Sequence, residues 1–392
     1  MKIRDVALIE VTGEFTVEEP QPVESGSRPL QIYPEFAPRR GPWHQVGDVV
    51  RGTDVFLEVR TDEGPTGLFG PVDGEHAIIL RREMREFLVG RDPLAIEKIW
   101  DLLLRRNRHA RAGYYMMAMS ALDCALWDLK GKVLGQPVYR LLGGPTQEPV
   151  RAYASMLSFS LEHEELAARA VEYQRLGYVA QKWFFRHGPA AGPRGAAENV
   201  EVVRVLREAV GDGTDLMFDA FNSWTVPYAI DVGQRIAPYR PAWLEEPVPV
   251  DRKAGLKRIR ERTGLPIATG EHIYTRWQAL DLLEAEAVDV IQADPDWCGG
   301  VSELVKIANI CSAFDVPVCP HGHSLHAALH VAAALPHNVV PMVEFLMLHQ
   351  RTKQRFMKGY LEPTNGVIEP PEMLGLGIEL DPDKIDARRE IE

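Results

Sequence analysis

Three carboxylates follow short apolar runs of the sequence at an even spacing. They are Asp219, Glu245 and Glu271, with an interval of 26 residues both times. Each apolar run resembles a buried parallel strand, and a polar helical pattern separates it from the next run. In a closed βα barrel the carboxyl ends of the strands converge on one mouth, so the three acids would meet there.

Such acids repel one another unless a cation lies among them, and oxygen ligands favour Mg²⁺. We therefore predict a Mg²⁺ site. The alternative, three unrelated surface acids, is disfavoured because two of the runs are too apolar for a surface.

Four other predicted strands also place polar side chains at the barrel mouth. Lys182 lies on the second strand, Asp294 ends the sixth, His321 ends the seventh, and Glu344 lies on the eighth. An Asp and a His on neighbouring strands can form a hydrogen-bonded dyad, in which the carboxylate fixes the imidazole tautomer and raises its basicity. We predict that His321 is a general base. Lys182 is either a positive charge near a substrate carboxylate or a structural cation that lines the barrel.

A metal and a base together indicate one type of reaction. A Mg²⁺ ion chelated by a substrate carboxylate acidifies the neighbouring C–H and stabilises the enediolate that forms when His321 removes the proton. The glycines between Gly188 and Gly195 have neither dinucleotide-fingerprint nor phosphate-loop spacing. We therefore expect Mg²⁺ to be the only cofactor.

The length of 392 residues exceeds that of one ordinary domain. We predict an α/β fold with a (β/α)₈ barrel, or a modified barrel if one helix is missing, over residues 145–350. A smaller domain is expected over 1–144, and a C-terminal segment, 351–392, is expected to pack back on it. Barrel strands are expected at 150–156, 179–185, 215–221, 242–246, 266–271, 288–294, 316–321 and 340–345. On the apolar helix that precedes the barrel, Asp123 and Asp128 are expected to be polar-face or capping residues.

Net charge and composition limit the kinds of partner that the protein can bind. The net charge of -12 argues against nucleic acid and anionic membranes, which need a basic face, so we expect a small-molecule acid. The four cysteines show no CxxC spacing and are expected to be reduced thiols, as in the cytoplasm. The first residues alternate like a strand, so we do not expect them to be a signal peptide, and no apolar run is long enough to span a bilayer.

A long Pro-rich loop runs from Glu14 to Gln45. It contains Arg39 and His44 among other polar and aromatic residues, a mixture suited to folding over a polar ligand. A loop of this length is usually functional or disordered, so a flexible surface loop is the alternative.

Motifs along nearly the whole chain resemble the enolase superfamily and, within it, the mandelate racemase subgroup. The matching stretches are Ala121 to Lys132, Asp219 with Asn222, Trp243-Leu-Glu-Glu-Pro247, Gly270-Glu271, Ile291-Gln-Ala-Asp294 with Gly299-Gly300, and Pro320-His321. The resemblance implies a modified (β/α)₈ TIM barrel with an α+β capping domain over 1–144. It implies Mg²⁺ on Asp219, Glu245 and Glu271, an Asp294–His321 dyad, and Glu344 as a hydrogen-bonding or electrophilic group. It also implies that the Glu14–Gln45 loop helps to select the substrate and that the chain forms a homo-oligomer.

One departure from the subgroup bears on the reaction. Many members carry Lys-x-Lys on the second strand, where this chain has Lys182-Trp-Phe184. A racemase needs a base on each face of its substrate, and Phe184 cannot move a proton. This favours a syn dehydration in which His321 removes the α-proton and then protonates the departing β-hydroxyl, giving a 2-keto-3-deoxy acid.

Several segments also resemble the acid-sugar dehydratases that act on L-rhamnonate. Asn222 and His272 are candidate substrate contacts, with Arg39 and His44 from the long loop. The stretch His323-Ser-Leu-His326 departs from the residues expected in that family, and His323 could contact a different end of the sugar or merely pack. One alternative is an epimerase, racemase or cycloisomerase of the same superfamily. Such an enzyme needs a second acid or base on the opposite face of the substrate, and here Lys182 would have to supply it. The other is a metal-binding barrel without catalysis.

Overall fold

The computed structural model describes residues 1–18, 24–36 and 44–391. The chain begins with an antiparallel sheet of four strands in the order β12-β1-β2-β3, so the last strand of the chain lies beside the first. Its strands are β1 (Ile3–Thr16), β2 (Val49–Thr61), β3 (Thr66–Val72) and β12 (Ala387–Glu390). β1 and β2 pair along almost their whole length.

A run of helices follows the first three strands of this sheet. They are α1 (Gly74–Ile79), a π-helical turn (Leu80–Met84), α2 (Arg85–Leu88), α3 (Ile96–Arg106), α4 (Tyr114–Leu134) and α5 (Val138–Leu141). α4 is the longest of them, and its side chains are buried on nearly every side. A helix that is apolar all round has to be enclosed, and α4 packs against β3 on one side and against a barrel helix on the other.

A parallel sheet follows, with the strand order β10-β4-β5-β6-β7-β8-β9. Its strands are β4 (Val150–Ser155), β5 (Ala180–Phe184), β6 (Asp215–Asp219), β7 (Trp243–Glu245), β8 (Ile267–Thr269), β9 (Val290–Ile291) and β10 (Val343–Leu346). Its helices are α6 (His163–Arg175), α7 (Gly192–Val210), α8 (Val226–Ile236), α9 (Lys253–Thr263), α10 (Thr275–Glu284), α11 (Gly300–Ser312) and α12 (Leu325–Ala334). This alternation confirms the predicted barrel with an α+β cap.

The seventh barrel strand, expected at 316–321, is not a regular strand. Val318 forms a single parallel bridge with Ile291. Pro317 and Pro320 have no N–H to donate to a ladder, which explains the short pairing. The segment still closes the barrel, because Glu344 N donates to the Pro320 carbonyl at 3.3 Å on its other side.

Asp123 and Asp128 are buried where α4 meets its neighbours, so the predicted polar-face position is wrong. Asp123 accepts a hydrogen bond from Ser302 N at 2.9 Å, and so it caps α11 rather than its own helix. Asp128 accepts from Leu68 N at 2.7 Å and from Leu376 N at 2.9 Å. The two carboxylates satisfy main-chain donors in segments far apart in the sequence.

An apolar layer fills the barrel interior below its mouth. It consists of Tyr153, Ala180, Met217, Trp243, Ala268, Val290 and Cys319, all buried. These residues come from successive strands, as expected for a barrel whose interior is a packed core. The layer forms the floor of the site described below.

The chain beyond β10 contacts both parts of the structure. α13 (His349–Lys353) follows β10, β11 (Val367–Ile368) pairs with β4, and β12 pairs with β1. The expected domain boundaries after residues 144 and 350 stay predictions. The four cysteines are free and buried, as expected. Within the described ranges, none of the helices combines the length and the apolar character needed to cross a membrane.

Candidate active site

The polar side chains of the barrel form a second layer directly above the apolar floor. Side chains two residues apart on a strand point the same way, so each residue two positions beyond a floor residue also faces the barrel interior. Apart from Gly270, which has no side chain, these residues are Ser155, Lys182, Asp219, Glu245, Gln292 and His321. The structure thus brings together, from different strands, residues that the spacing placed at the barrel mouth.

His321 and Asp294 form the predicted dyad. His321 Nδ1 lies 2.8 Å from Asp294 Oδ2, and both side chains are buried. The other ring nitrogen, Nε2, lies 3.4 Å from Glu271 Oε2 and 3.8 Å from Glu344 Oε2. Burial opposes a charge on His321, but Glu271, Glu344 and Asp294 outweigh it and raise its pKa to about 10. The surrounding carboxylates therefore favour the imidazolium form of His321.

Lys182 lies at the centre of the carboxylates. Its Nζ is 2.5 Å from Glu245 Oε1, 2.7 Å from Glu344 Oε1 and 3.8 Å from Asp219 Oδ2, and the side chain is 0 % exposed. Burial acts to lower its pKa, but Glu245 and Glu344 raise that pKa well above its ordinary value. A permanently charged lysine that donates a hydrogen bond to Glu245 and forms an ion pair with Glu344 favours the structural role over proton transfer.

Glu344 remains an anion in this arrangement. Burial would raise its pKa, but Lys182 and His321 lower it to about 2. Its Oε2 accepts a hydrogen bond from Gly322 N at 2.9 Å. An ionised carboxylate can accept hydrogen bonds but cannot donate them, so Glu344 in this state holds its neighbours and supplies no proton.

The predicted metal ligands Asp219 and Glu245 are buried and in register on adjacent strands. Burial, and after it the nearby Glu245 charge, raise the pKa of Asp219 well above its usual range, and burial also raises that of Glu245. Both oxygens of Glu245 accept hydrogen bonds, Oε1 from Lys182 and Oε2 from Trp243 Nε1 at 2.9 Å and Gln292 Nε2 at 2.8 Å. Two buried acids that resist ionisation are a site that a cation would stabilise.

Glu246 was missed as a candidate, although it stands beside Glu245 in the quoted motif. One ligand atom each of Glu246, Glu271 and His272 lie within 4.8 Å of one another, which is close enough to hold a metal ion. Asp219 and Glu245 lie outside this group. Burial, followed by the charges of Glu271 and Asp219, raises the pKa of Glu246 well above its usual value. The sequence signal for Glu246 was its place as the second acid of the Glu245-Glu246 pair, but the prediction chose Glu245 because only that acid fits the even spacing of 26 residues.

The residues present fit a hard divalent cation. The Asn222 side-chain nitrogen donates to Glu246, while its Oδ1 is buried without a hydrogen-bond partner. An orphaned buried oxygen among carboxylates is a donor atom available to a cation, and hard cations prefer oxygen. Gly270 permits this arrangement because its φ of +122° turns the chain after β8 and carries Glu271 to the mouth.

Trp297 is a second residue that the prediction did not name as part of the site. Its ring lies 4.9 Å from that of His321, 5.0 Å from that of His323 and 5.6 Å from that of His272, measured between centroids. His272 stacks on it at 14° and keeps 46 % of its side chain exposed. Trp297 therefore forms a wall that fixes three imidazoles, and His272 is the most open of them.

The remaining predicted substrate contacts differ in their placement. Both ring nitrogens of His323 are engaged, Nδ1 with Asp296 Oδ2 at 2.7 Å and Nε2 with Lys353 Nζ at 2.5 Å. His44 lines a surface cavity of about 610 Å³ between the end of β1 and α13. Arg39 lies outside the described residues. Substrate contact by these three residues stays a prediction.

Comparison with known proteins supports the fold and the motifs. Residues 165–384 match the enolase C-terminal domain-like family, and residues 30–143 match the mandelate racemase / muconate lactonizing enzyme N-terminal domain. L-rhamnonate dehydratase of Saccharopolyspora erythraea is 34% identical over 404 residues, covering 99% of each chain.

Two solved structures are similar along the whole chain. Rhamnonate dehydratase from Gibberella zeae complexed with Mg has a TM-score of 0.83 at 26% identity, covering 98% of this chain and 95% of its own. A racemase from Streptomyces coelicolor A3(2) with bound magnesium has a TM-score of 0.79 at 26% identity, covering 98% of each chain. With its barrel, its cap and both family matches, this chain belongs to the mandelate racemase / muconate lactonizing enzyme group of the enolase superfamily.

Proposed function

We propose that this protein is a Mg²⁺-dependent dehydratase of an acid sugar, an L-rhamnonate-like aldonic acid. The observation that carries the proposal is the buried Asp294–His321 pair, in which the second imidazole nitrogen, Nε2, faces Glu271 and Glu344. The 34% identity to an L-rhamnonate dehydratase over the whole chain supports the substrate class.

We assign Asp219, Glu245 and Glu271 as the residues that hold Mg²⁺. Asp219 and Glu245 end neighbouring strands in register, and Glu271 follows the next strand through the Gly270 turn. Mg-containing relatives of the same fold support this choice of ion. When bound, Mg²⁺ would neutralise these carboxylates and withdraw electron density from the substrate carboxylate, which makes the neighbouring C–H more acidic.

His321 then carries out both proton transfers. Nε2 takes the proton from C2 of the substrate, and the electrons of that C–H bond form the C2=C3 double bond as the C3–O bond breaks. The imidazolium returns the same proton to the departing oxygen, which leaves as water. Asp294 holds Nδ1–H throughout and stabilises the charge on the ring. The enol that remains tautomerises to a 2-keto-3-deoxy acid.

The opposite side of the site supports dehydration over racemisation. Phe184 is fully buried and stands in register with Asp219. Its ring packs edge-on against that of Phe221, with 6.2 Å between the centroids. Lys182, two residues earlier, is held by Glu245 and Glu344. A racemase or cycloisomerase would need one of these positions to exchange a proton with substrate, and neither is arranged to do so. A binding protein without turnover would have no use for the oriented dyad.

A panel of mono- and di-acid sugars tests this proposal, with Mg²⁺ and the purified protein and a 2-keto acid assay as the readout. We expect a keto product from an aldonic acid with L-rhamnonate configuration, and none with His321→Asn or in the presence of EDTA. Exchange of the α-proton without loss of water would instead indicate the epimerase alternative. Tight Mg²⁺ binding without any turnover across the panel would indicate the non-catalytic one.

A further inference from the structure

A second Asp–His pair lies immediately beside the first. Asp296 Oδ2 is 2.7 Å from His323 Nδ1, and Asp294 and His321 are paired in the same way two residues earlier on the same two loops. The ring of Trp297 packs against both imidazoles, with centroid distances of 4.9 Å and 5.0 Å. The proposed mechanism uses only the first pair.

The main chain of the second pair holds the carboxylate of the first. Asp296 N donates to Asp294 Oδ1 at 2.7 Å, and His323 N donates to Asp294 Oδ2 at 3.0 Å. One oxygen of Asp294 is therefore held by the loop after β9, and the other by the loop that carries His321. The side-chain bond between Asp296 and His323 ties these two loops together.

A lysine fixes the tautomer of this second imidazole. Lys353 Nζ lies 2.5 Å from His323 Nε2. An ammonium can only donate, so Nε2 is the acceptor and the ring proton is on Nδ1, facing Asp296. The order Lys353, His323, Asp296 is thus a chain of donors and acceptors that runs from α13 to the loop after β9. It leaves His323 no free ring nitrogen for a substrate.

Asp296 depends on this arrangement because it is buried. Its side chain is almost entirely inaccessible, and Oδ1 has no hydrogen-bond partner. A buried carboxylate is stable only when paired. Loss of the His323 donor would therefore force the Asp296 loop to move towards water, and its N–H would leave Asp294.

We propose that Asp296 and His323 are a positioning pair for the Asp294–His321 base. The pair does not touch the substrate; it locks the two loops whose N–H groups orient Asp294, and through Asp294 it sets the direction of His321 Nε2. This inference rests on the proposed function for its kinetic consequence, but its structural consequence can be observed without substrate.

Two variants of His323 distinguish a role in positioning the base from a role in packing alone. His323→Asn keeps an N–H donor near the place of Nδ1 and can still bond Asp296, whereas His323→Leu removes the donor. His326→Leu is a matched change in the same segment, at a buried histidine without a role in either pair. The substrate-free readout is the low-field proton NMR signal of Nδ1–H in the Asp294–His321 bond, assigned by its absence in His321→Asn.

We expect His323→Leu to shift or broaden the His321 signal and to lower kcat on the order of 10²-fold with KM nearly constant, since small misplacement of a catalytic group has costs of this size. His323→Asn should restore both, and His326→Leu should change neither. If His323→Leu does not fold, Asp296→Ala provides the same comparison against Asp296→Asn.

Other results would overturn the proposal. An unchanged His321 signal in His323→Leu would show that the pair does not hold the dyad, and a rise in KM alone would make His323 a substrate contact. If the wild type turns over no acid sugar, the proposed function fails, whereas the NMR comparison still decides whether the pair orients the dyad.

Discussion

His321 Nε2 faces Glu271 Oε2 across 3.4 Å, so the proposed base and a proposed metal ligand form an ion pair in the metal-free protein. Of the neighbouring charges that raise the pKa of His321 to about 10, Glu271 has the largest effect. A cation on Glu271 would compete with the imidazolium for the same carboxylate. Metal binding and deprotonation of the base are therefore coupled in this site.

Mg²⁺ binding is predicted to release protons. A bound cation withdraws Glu271 from His321 and favours ionised Asp219 and Glu245, whose pKa values are raised in its absence. Below the metal-free pKa of His321 the affinity for Mg²⁺ should thus increase with pH. Calorimetry in two buffers of different ionisation enthalpy measures the protons released, and His321→Asn should release fewer. Identical apparent enthalpies in the two buffers would contradict the coupling.

The choice of metal ligand between two adjacent acids can be tested directly. We expect Glu245→Gln to weaken Mg²⁺ binding by about 10²-fold or more, because loss of an outer-shell partner alone has effects of roughly 10- to 100-fold. Glu246→Gln, which also neutralises a buried acid, should have a smaller effect. The measurement is Mg²⁺ titration at constant pH. A larger loss with Glu246→Gln would assign the ion to the group formed by Glu246, Glu271 and His272.

Lys182→Met is expected to destabilise the metal-free protein. The change leaves Glu245 and Glu344 buried without their common partner, and breaking a buried ion pair on one side costs about 3–5 kcal/mol. Denaturant unfolding in EDTA measures the loss. Adding Glu344→Gln should recover part of it, since one uncompensated charge is then removed. Full stability of the single variant would show that Lys182 has no structural role.

His326 is predicted to make the protein less stable in acid. Burial lowers its pKa to about 4, below the unfolded value near 6.5. Between these values the unfolded chain binds more protons, so the free energy of unfolding falls as pH falls, by up to about 1.4 kcal/mol per pH unit. His326→Leu should flatten the dependence between pH 6.5 and 4 in urea unfolding, whereas His109→Leu at an exposed histidine should not. Parallel curves for wild type and His326→Leu would be the contrary result.

Much of the barrel could be predicted because its signals are local. Apolar runs with an acid at their ends gave the strands of Asp219 and Glu245, and strand alternation then fixed which side chains face inward. The length of the seventh strand was overestimated, because its prolines interrupt the hydrogen bonding between strands but leave the apolar pattern of the sequence intact. Pairings across the barrel could not be read in this way. Neither the bond between Asp296 and His323 nor the wall formed by Trp297 leaves a periodic signal.

The sequence alone could not decide whether Glu245 or Glu246 faces the barrel interior. Neighbouring positions on a strand face opposite ways, but the backbone can leave the strand conformation at its last residues. Glu246 has a φ of +43°, outside the strand conformation. The expectations of self-association and of a cytoplasmic location stay predictions, since the geometry of one chain does not bear on them.

The most direct test of the central claim is NMR of L-rhamnonate incubated with the protein and Mg²⁺ in D₂O. A dehydratase that uses His321 as its base predicts a 2-keto-3-deoxy acid with one deuterium at C3, formed by wild type and absent with His321→Asn. Deuterium at C2 of unreacted substrate, without any keto product, would contradict dehydration and show proton exchange instead.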